Sequence, residues 1–217
     1  MQLPCSQACE NNKRPILEVL RNWIKDGETV LEVGSGTGQH AVYFAESLPT
    51  VTWQCADQKQ HHPVINRRVA DSHLPNLLPA IELEAETFNW CQIVADSVFS
   101  SNTAHIMSWS AVEAMFVGVG QIITDGVFIL YGPFNRNGTF TSDSNQRFHR
   151  SLQLSAPHMG VRDDVELVEL AQRSGMRLEK DIEMPANNRI LVWKSSKHTN
   201  AKRKLHQICA NMGNKAL

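Results

Sequence analysis

Short apolar runs alternate along this chain with stretches whose apolar residues recur every three to four positions. Ile16, Leu17, Leu20, Trp23 and Ile24 share one helical face; Pro15 suits a first turn, where its missing N–H costs nothing, and Asp26-Gly27 is the stop. Residues 29–33 read as a buried strand, and Ala41, Val42, Phe44, Ala45 and Leu48 as the stripe of the next helix. A second strand over 51–56 ends on Asp57, followed by a weakly patterned helix over 63–72 and a loop around Pro75 and Pro79. Further strands are expected at 80–83 and 97–101. The clearest helix carries Val112, Met115, Phe116, Val119, Ile122 and Ile123, and Asp125-Gly126 ends it before a strand at 127–131. A long polar loop then leads to Asp163 and Asp164, whose charge suits the start of a helix that Gly175 closes. Strands at 177–183 and 189–194, joined by 184–188, complete the chain. Strands alternating with helices predict an α/β domain built on a mostly parallel sheet.

The connection after the first strand carries the chemistry. It reads Val30-Leu31-Glu32-Val33-Gly34-Ser35-Gly36-Thr37-Gly38-Gln39-His40. A dinucleotide-binding turn, G-x-G-x-x-G, would need glycine where Gln39 stands, which disfavours an NAD-dependent oxidoreductase. Three alternating glycines let the backbone pass closely beneath a ligand, and the following helix turns its free N–H groups toward it. The order E-x-G-x-G-x-G resembles the first motif of class I S-adenosylmethionine-dependent methyltransferases. That resemblance implies S-adenosylmethionine as cofactor. It also implies a Rossmann-like, seven-stranded sheet of order 3-2-1-4-5-7-6, its last strand antiparallel, with helices on both faces.

Other stretches resemble one family in particular. They are Ser6-Gln7-Ala8-Cys9-Glu10 with Asn12-Lys13 and Pro15-Ile16-Leu17; Asn102-Thr103 with His105-Ile106-Met107-Ser108-Trp109; Tyr131-Gly132-Pro133-Phe134-Asn135 with Asn137-Gly138; and Met184-Pro185-Ala186-Asn187-Asn188. Together they are similar to an uncharacterised methyltransferase-like family of bacteria and animals, whose animal branch is methyltransferase-like protein 26. The resemblance covers about residues 4–195. It gives a domain over 1–196 and a basic tail over 197–217, and it supplies a cofactor without an acceptor.

Candidate site residues follow. Glu32, Gly34, Ser35, Gly36 and Gly38 form the cofactor turn, with Glu32 either orienting it or meeting only backbone amides. Asp57, at a strand end 19 residues past Gly38, can accept bonds from two ribose hydroxyls. The family resemblance puts Glu84 beside the adenine, and Asn102 and Thr103 beside the transferable methyl. Tyr131 and Asn135, at and after the strand at 127–131, and Asn187, in the 184–188 connection, are candidates for substrate contact, although asparagine-rich loops are often only turns. His105 is either a general base or a packed core histidine.

Composition narrows the partners. Hydrophobic residues at 42% and charged residues at 20% describe an ordinary globular chain, and no apolar run could span a bilayer. The start Met1-Gln2-Leu3-Pro4-Cys5 lacks a basic-then-apolar signal, and five scattered cysteines suit a reducing, cytoplasmic setting. His61-His62 has no metal-ligand spacing around it, so no metal is expected. The net charge of −1 conceals a tail holding Lys197, Lys202, Arg203, Lys204 and Lys215 without an acid. That tail either touches nucleic acid or is simply solvated. The body is acidic and has no N-P-P-Y or paired-cysteine signature, so a small-molecule acceptor is expected over nucleic acid. The alternatives are a non-catalytic S-adenosylmethionine-binding module and a nucleic-acid methyltransferase.

Overall fold

A computed structural model describes residues 3–196; the basic tail lies outside the described residues. The elements are α1 (Gln7–Trp23), β1 (Thr29–Val33), α2 (Gln39–Ser47), β2 (Thr52–Asp57), α3 (His62–Ser72), β3 (Leu77–Glu82), β4 (Ser97–Ser101) and α4 (Trp109–Ile122). They continue through β5 (Val127–Gly132), β6 (Phe134–Asn135), α5 (Asp143–Ser155), β7 (Arg162–Asp163), α6 (Asp164–Arg173), β8 (Met176–Met184) and β9 (Asn188–Ser195). Seven strands form one sheet in the order β3-β2-β1-β4-β5-β9-β8, with β9 antiparallel to β5 and β8. This is the expected order, since the short β6 and β7 pair only with each other.

The sheet is buried on both faces, and strand alternation divides its residues between two cores. Leu31, Val98, Phe128, Leu191 and Trp193 face α4 and α6, where Met115, Phe116 and Leu167 meet them. Their neighbours Val30, Phe99, Ile129, Ile190 and Val192 face the other way, onto Ile16, Leu20, Phe44 and Trp53. In α4, Gly118 lets Trp90 lie directly on the helix: a Cβ there would stand 2.1 Å from the indole Cδ2.

Three elements depart from the pattern reading. Helix α1 starts at Gln7, so Pro15 lies inside it and not at its first turn; the Ser6 hydroxyl caps it by accepting from the Cys9 N–H at 3.4 Å. Residues 7–14 are too polar to show a stripe. Strand β3 begins at Leu77 and takes in Pro79, which an edge strand paired only with β2 tolerates. The expected polar loop contains α5, whose cap Ser142 accepts from the Asn145 N–H at 3.1 Å. Only Asn145 and Leu152 of α5 are buried, too little for apolar periodicity to register.

Candidate functional site

The carboxyl ends of β1, β2, β4 and β5 open on one cavity of about 1130 Å³. The glycine turn forms part of its wall. Gly34, Gly36 and Gly38 take φ of +77°, +58° and +74°, a left-handed path that side chains disfavour. A Cβ on Gly34 would stand 2.4 Å from Thr103 Cγ2, so only glycine lets the β1 turn close onto the loop after β4. Thr103 is held in turn: its Oγ1 lies 2.6 Å from Ser100 Oγ, which donates to the Val33 carbonyl at 2.7 Å.

Asp57 ends β2 beside this turn. Its two carboxylate oxygens accept from the Gly36 N–H at 2.6 Å and the Gln58 N–H at 2.7 Å. A carboxylate has about four lone-pair sites, so two remain for hydroxyl donors. Glu84 lies across the same end and accepts from Gln58 Nε2 at 3.0 Å.

Gln39, where a dinucleotide turn would have glycine, has a different task. Its Oε1 accepts from the Ser6 N–H, and its Nε2 donates to Glu10 Oε1 at 2.9 Å. Arg68 adds bonds to the carbonyls of Thr37 at 2.8 Å and Pro4 at 2.6 Å. Residues 4–10 are thereby strapped across the turn, bringing Ser6 and Cys9 onto the cavity wall.

Of the residues expected from the sequence, Gly34, Ser35, Gly36, Asp57, Glu84, Asn102, Thr103, His105 and Asn187 line the cavity. Asn187 Nδ2 donates to Ser144 Oγ at 3.1 Å, so that loop is tied to α5. Glu32, Gly38, Tyr131 and Asn135 are not on the wall. Glu32 is 2% exposed within the sheet and accepts from Trp53 Nε1 at 3.1 Å, an indole and not a backbone amide. Burial, outweighing that bond, raises its pKa from 4.5 to about 7. Gly38 faces Ile65 and Arg68 of α3. Asn135 pairs in the small sheet with Asp163, and its carbonyl accepts from Arg189 Nη1 at 3.1 Å. Tyr131 is buried, and that burial raises its pKa against the smaller effect of the neighbouring Asn12 and Asn188 side chains.

His40 belongs to the site, with Asn12 bonded to it from outside the wall, although pattern reading gave neither a role. His40 lines the cavity, and its Nε2 lies 2.7 Å from Asn12 Oδ1. Nothing local marks such a pair, because its members come from α1 and α2. Burial lowers the pKa of His40 to about 4. His105 is also pushed down to about 4, by burial and then by the Arg162 cation; its ring meets Phe148 edge-on at 5.2 Å. No lysine or arginine lines the cavity among the described residues, whereas Asp57, Glu84 and Glu86 do.

Residues 3–195 match the family model DUF938, described as a protein of unknown function. The chain belongs to the DUF938 family. Solved structures share the fold of this DUF938 protein. An O-methyltransferase family protein from Burkholderia thailandensis superposes with a TM-score of 0.74 at 12% identity, covering 88% of this chain and 58% of its own. The S-adenosylmethionine-dependent methyltransferase SibL gives 0.72 at 12% identity, over 88% and 56% of the two chains. CalO1, a methyltransferase of calicheamicin biosynthesis solved with SAH bound, gives 0.67 at 16%, over 85% and 54%. The DUF938 protein thus spans just over half the length of these structures and has their Rossmann-like methyltransferase fold. No helix among its described residues is long and apolar enough to cross a membrane.

Proposed function

We propose that the DUF938 protein is an S-adenosylmethionine-dependent methyltransferase acting on a small, uncharged acceptor, within the branch that includes methyltransferase-like protein 26. The observation that carries this reading is the shared cavity. The glycine turn, the Asp57 carboxylate and the loop after β4 all open on it, and its described wall has acids but no lysine or arginine. A pyrophosphate would lack a cationic partner there, and so would a nucleic-acid backbone. A ligand with a sulfonium charge and a diol suits the same wall. The free lone pairs of Asp57 would hold the two ribose hydroxyls, and Glu84 would sit toward the base. Backbone N–H groups of the turn and of the start of α2 would meet the methionyl carboxylate. Bound there, S-adenosylmethionine supplies an electrophilic methyl group, and the protein's task is alignment.

Calorimetric titration with S-adenosylhomocysteine, with NAD as control, tests the reading. The homocysteine ligand alone should bind. Asp57→Asn keeps the size of the side chain but removes its charge and one acceptor oxygen, and should weaken binding about tenfold, about 1.4 kcal/mol. Binding of NAD in preference, or unchanged affinity in the variant, would refute it.

A further inference from the structure

His40, on the cavity wall, and the buried Asn12 behind it form a polar unit that the cofactor contacts leave unused. Asn12 Oδ1, 2.7 Å from His40 Nε2, can only accept a hydrogen bond, so it holds the neutral imidazole as the Nε2–H tautomer, with Nε2–H donating. The other nitrogen, Nδ1, then carries a lone pair. It faces Cys9 Sγ at 3.9 Å, and both residues line the cavity. That sulfur contact is long and weak enough for a ligand hydroxyl to replace. The ring cannot turn away, because it stacks on Phe44 at 5.2 Å and meets the edge of Phe99 at 6.3 Å. Asn12 is itself buried, beside the buried Tyr131. Helices α1 and α2 therefore combine to hold one unprotonated nitrogen against Cys9 at the cavity wall.

We propose that His40, oriented by Asn12, takes the proton of the methyl acceptor, and that this acceptor is an uncharged aromatic hydroxyl compound. The inference rests on the methyltransferase reading above. A hydroxyl needs a base because its oxygen attacks well only as its proton leaves, whereas a neutral amine attacks with its own lone pair. The acceptor's oxygen takes the methyl group while its proton passes to His40 Nδ1; the electron pair of the broken carbon–sulfur bond stays on sulfur. One positive charge leaves the sulfonium and one arrives on the imidazole, so the net charge of the cavity is unchanged. The imidazolium then gives its proton to solvent. The side chains of Met107, Phe148 and Met159 flank the cavity with apolar surface suited to a planar ring.

Burial opposes protonation of both His40 and His105, and only their nearby charges differ. Near His40, the Glu10 carboxylate favours the protonated ring and Lys13, paired to Glu10 at 2.5 Å, opposes it. At His105 the neighbouring Arg162 cation adds to burial and works against taking a proton. Cys9 is the other titratable group against His40, and burial first of all raises its pKa, keeping it a neutral thiol.

The test uses the full chain with catechol and 8-hydroxyquinoline as acceptors and methyl-labelled S-adenosylmethionine. Nitrogen-15 NMR of the histidines is run in parallel without acceptor. Methylation of either compound is expected, with kcat falling at least 100-fold in His40→Gln while S-adenosylhomocysteine affinity is kept. The acid limb of kcat/KM should lie nearer pH 4 than 6.5, and Asn12→Ala should abolish the Nε2–H preference in the spectra. Full activity in His40→Gln, or a bare Nε2 in the wild-type spectrum, would overturn the assignment. Failure of both acceptors with intact S-adenosylhomocysteine binding would overturn the hydroxyl-acceptor inference and leave the cofactor reading standing. Loss of that binding in the wild type would remove both.

Discussion

Glu32 links the sheet to the pH dependence of stability in a way that can be measured. Its carboxyl is 2% exposed, bonds Trp53 Nε1, and has its pKa raised by burial from 4.5 to about 7. The folded chain therefore holds a proton there that the unfolded chain has already lost. The stabilisation by the neutral acid is complete below about pH 4.5 and disappears as pH rises through about 7. A gap of this size corresponds to about 3 kcal/mol at pH 8, of which about 1 kcal/mol is already lost by pH 5.5. Glu32→Gln keeps the acceptor for the Trp53 indole and has no charge to desolvate. The variant should therefore gain about 2 kcal/mol relative to wild type between pH 5.5 and pH 8. Urea denaturation of both proteins at the two pH values, without cofactor, gives this number. Taking the difference between the proteins cancels the opposite trend from His40 and His105, whose lowered pKa values cost stability as pH falls below about 6.5. Parallel stability curves for variant and wild type would refute the account of Glu32 as a buried, protonated acid.

Two further outcomes follow from the packing. Gln39→Ala removes the bonds to Ser6 and Glu10, so amide exchange in a peptide covering residues 4–12 should speed up about tenfold, as expected for the loss of about 1–2 kcal/mol of local restraint. Unchanged exchange in that peptide would show that Gln39 does not hold the strap. Gly118→Ala sets a methyl 2.1 Å from the Trp90 ring, which is 4% exposed, and should cost about 1–3 kcal/mol in chemical denaturation. A neutral substitution would mean that the Trp90–α4 contact is not tight.

Local pattern alone was enough for the layered α/β architecture and the glycine turn. Strand runs such as 127–131 and the α4 stripe are read directly from spacing, because burial on a sheet face or a helix face imposes its own period. Gly34 and Gly36 announce themselves because few other residues tolerate their φ, and Asp57 because a strand ends on it. Helix α5 stayed hidden, since it buries one asparagine and one leucine and so leaves no period to read. The roles of Glu32 and Tyr131 turned on which way a strand side chain points. Both lie in the strands that carry the site, yet one meets Trp53 and the other Asn12 and Asn188 inside the fold. Gln39 marked only the departure from a dinucleotide motif; its partners, Ser6 and Glu10, are the cap and the first turn of another helix. The His40–Asn12 pair is the clearest case of what tertiary structure alone decides. The two residues are 28 positions apart, and a hydrogen bond that fixes a tautomer exists only once packing has brought α1 against α2.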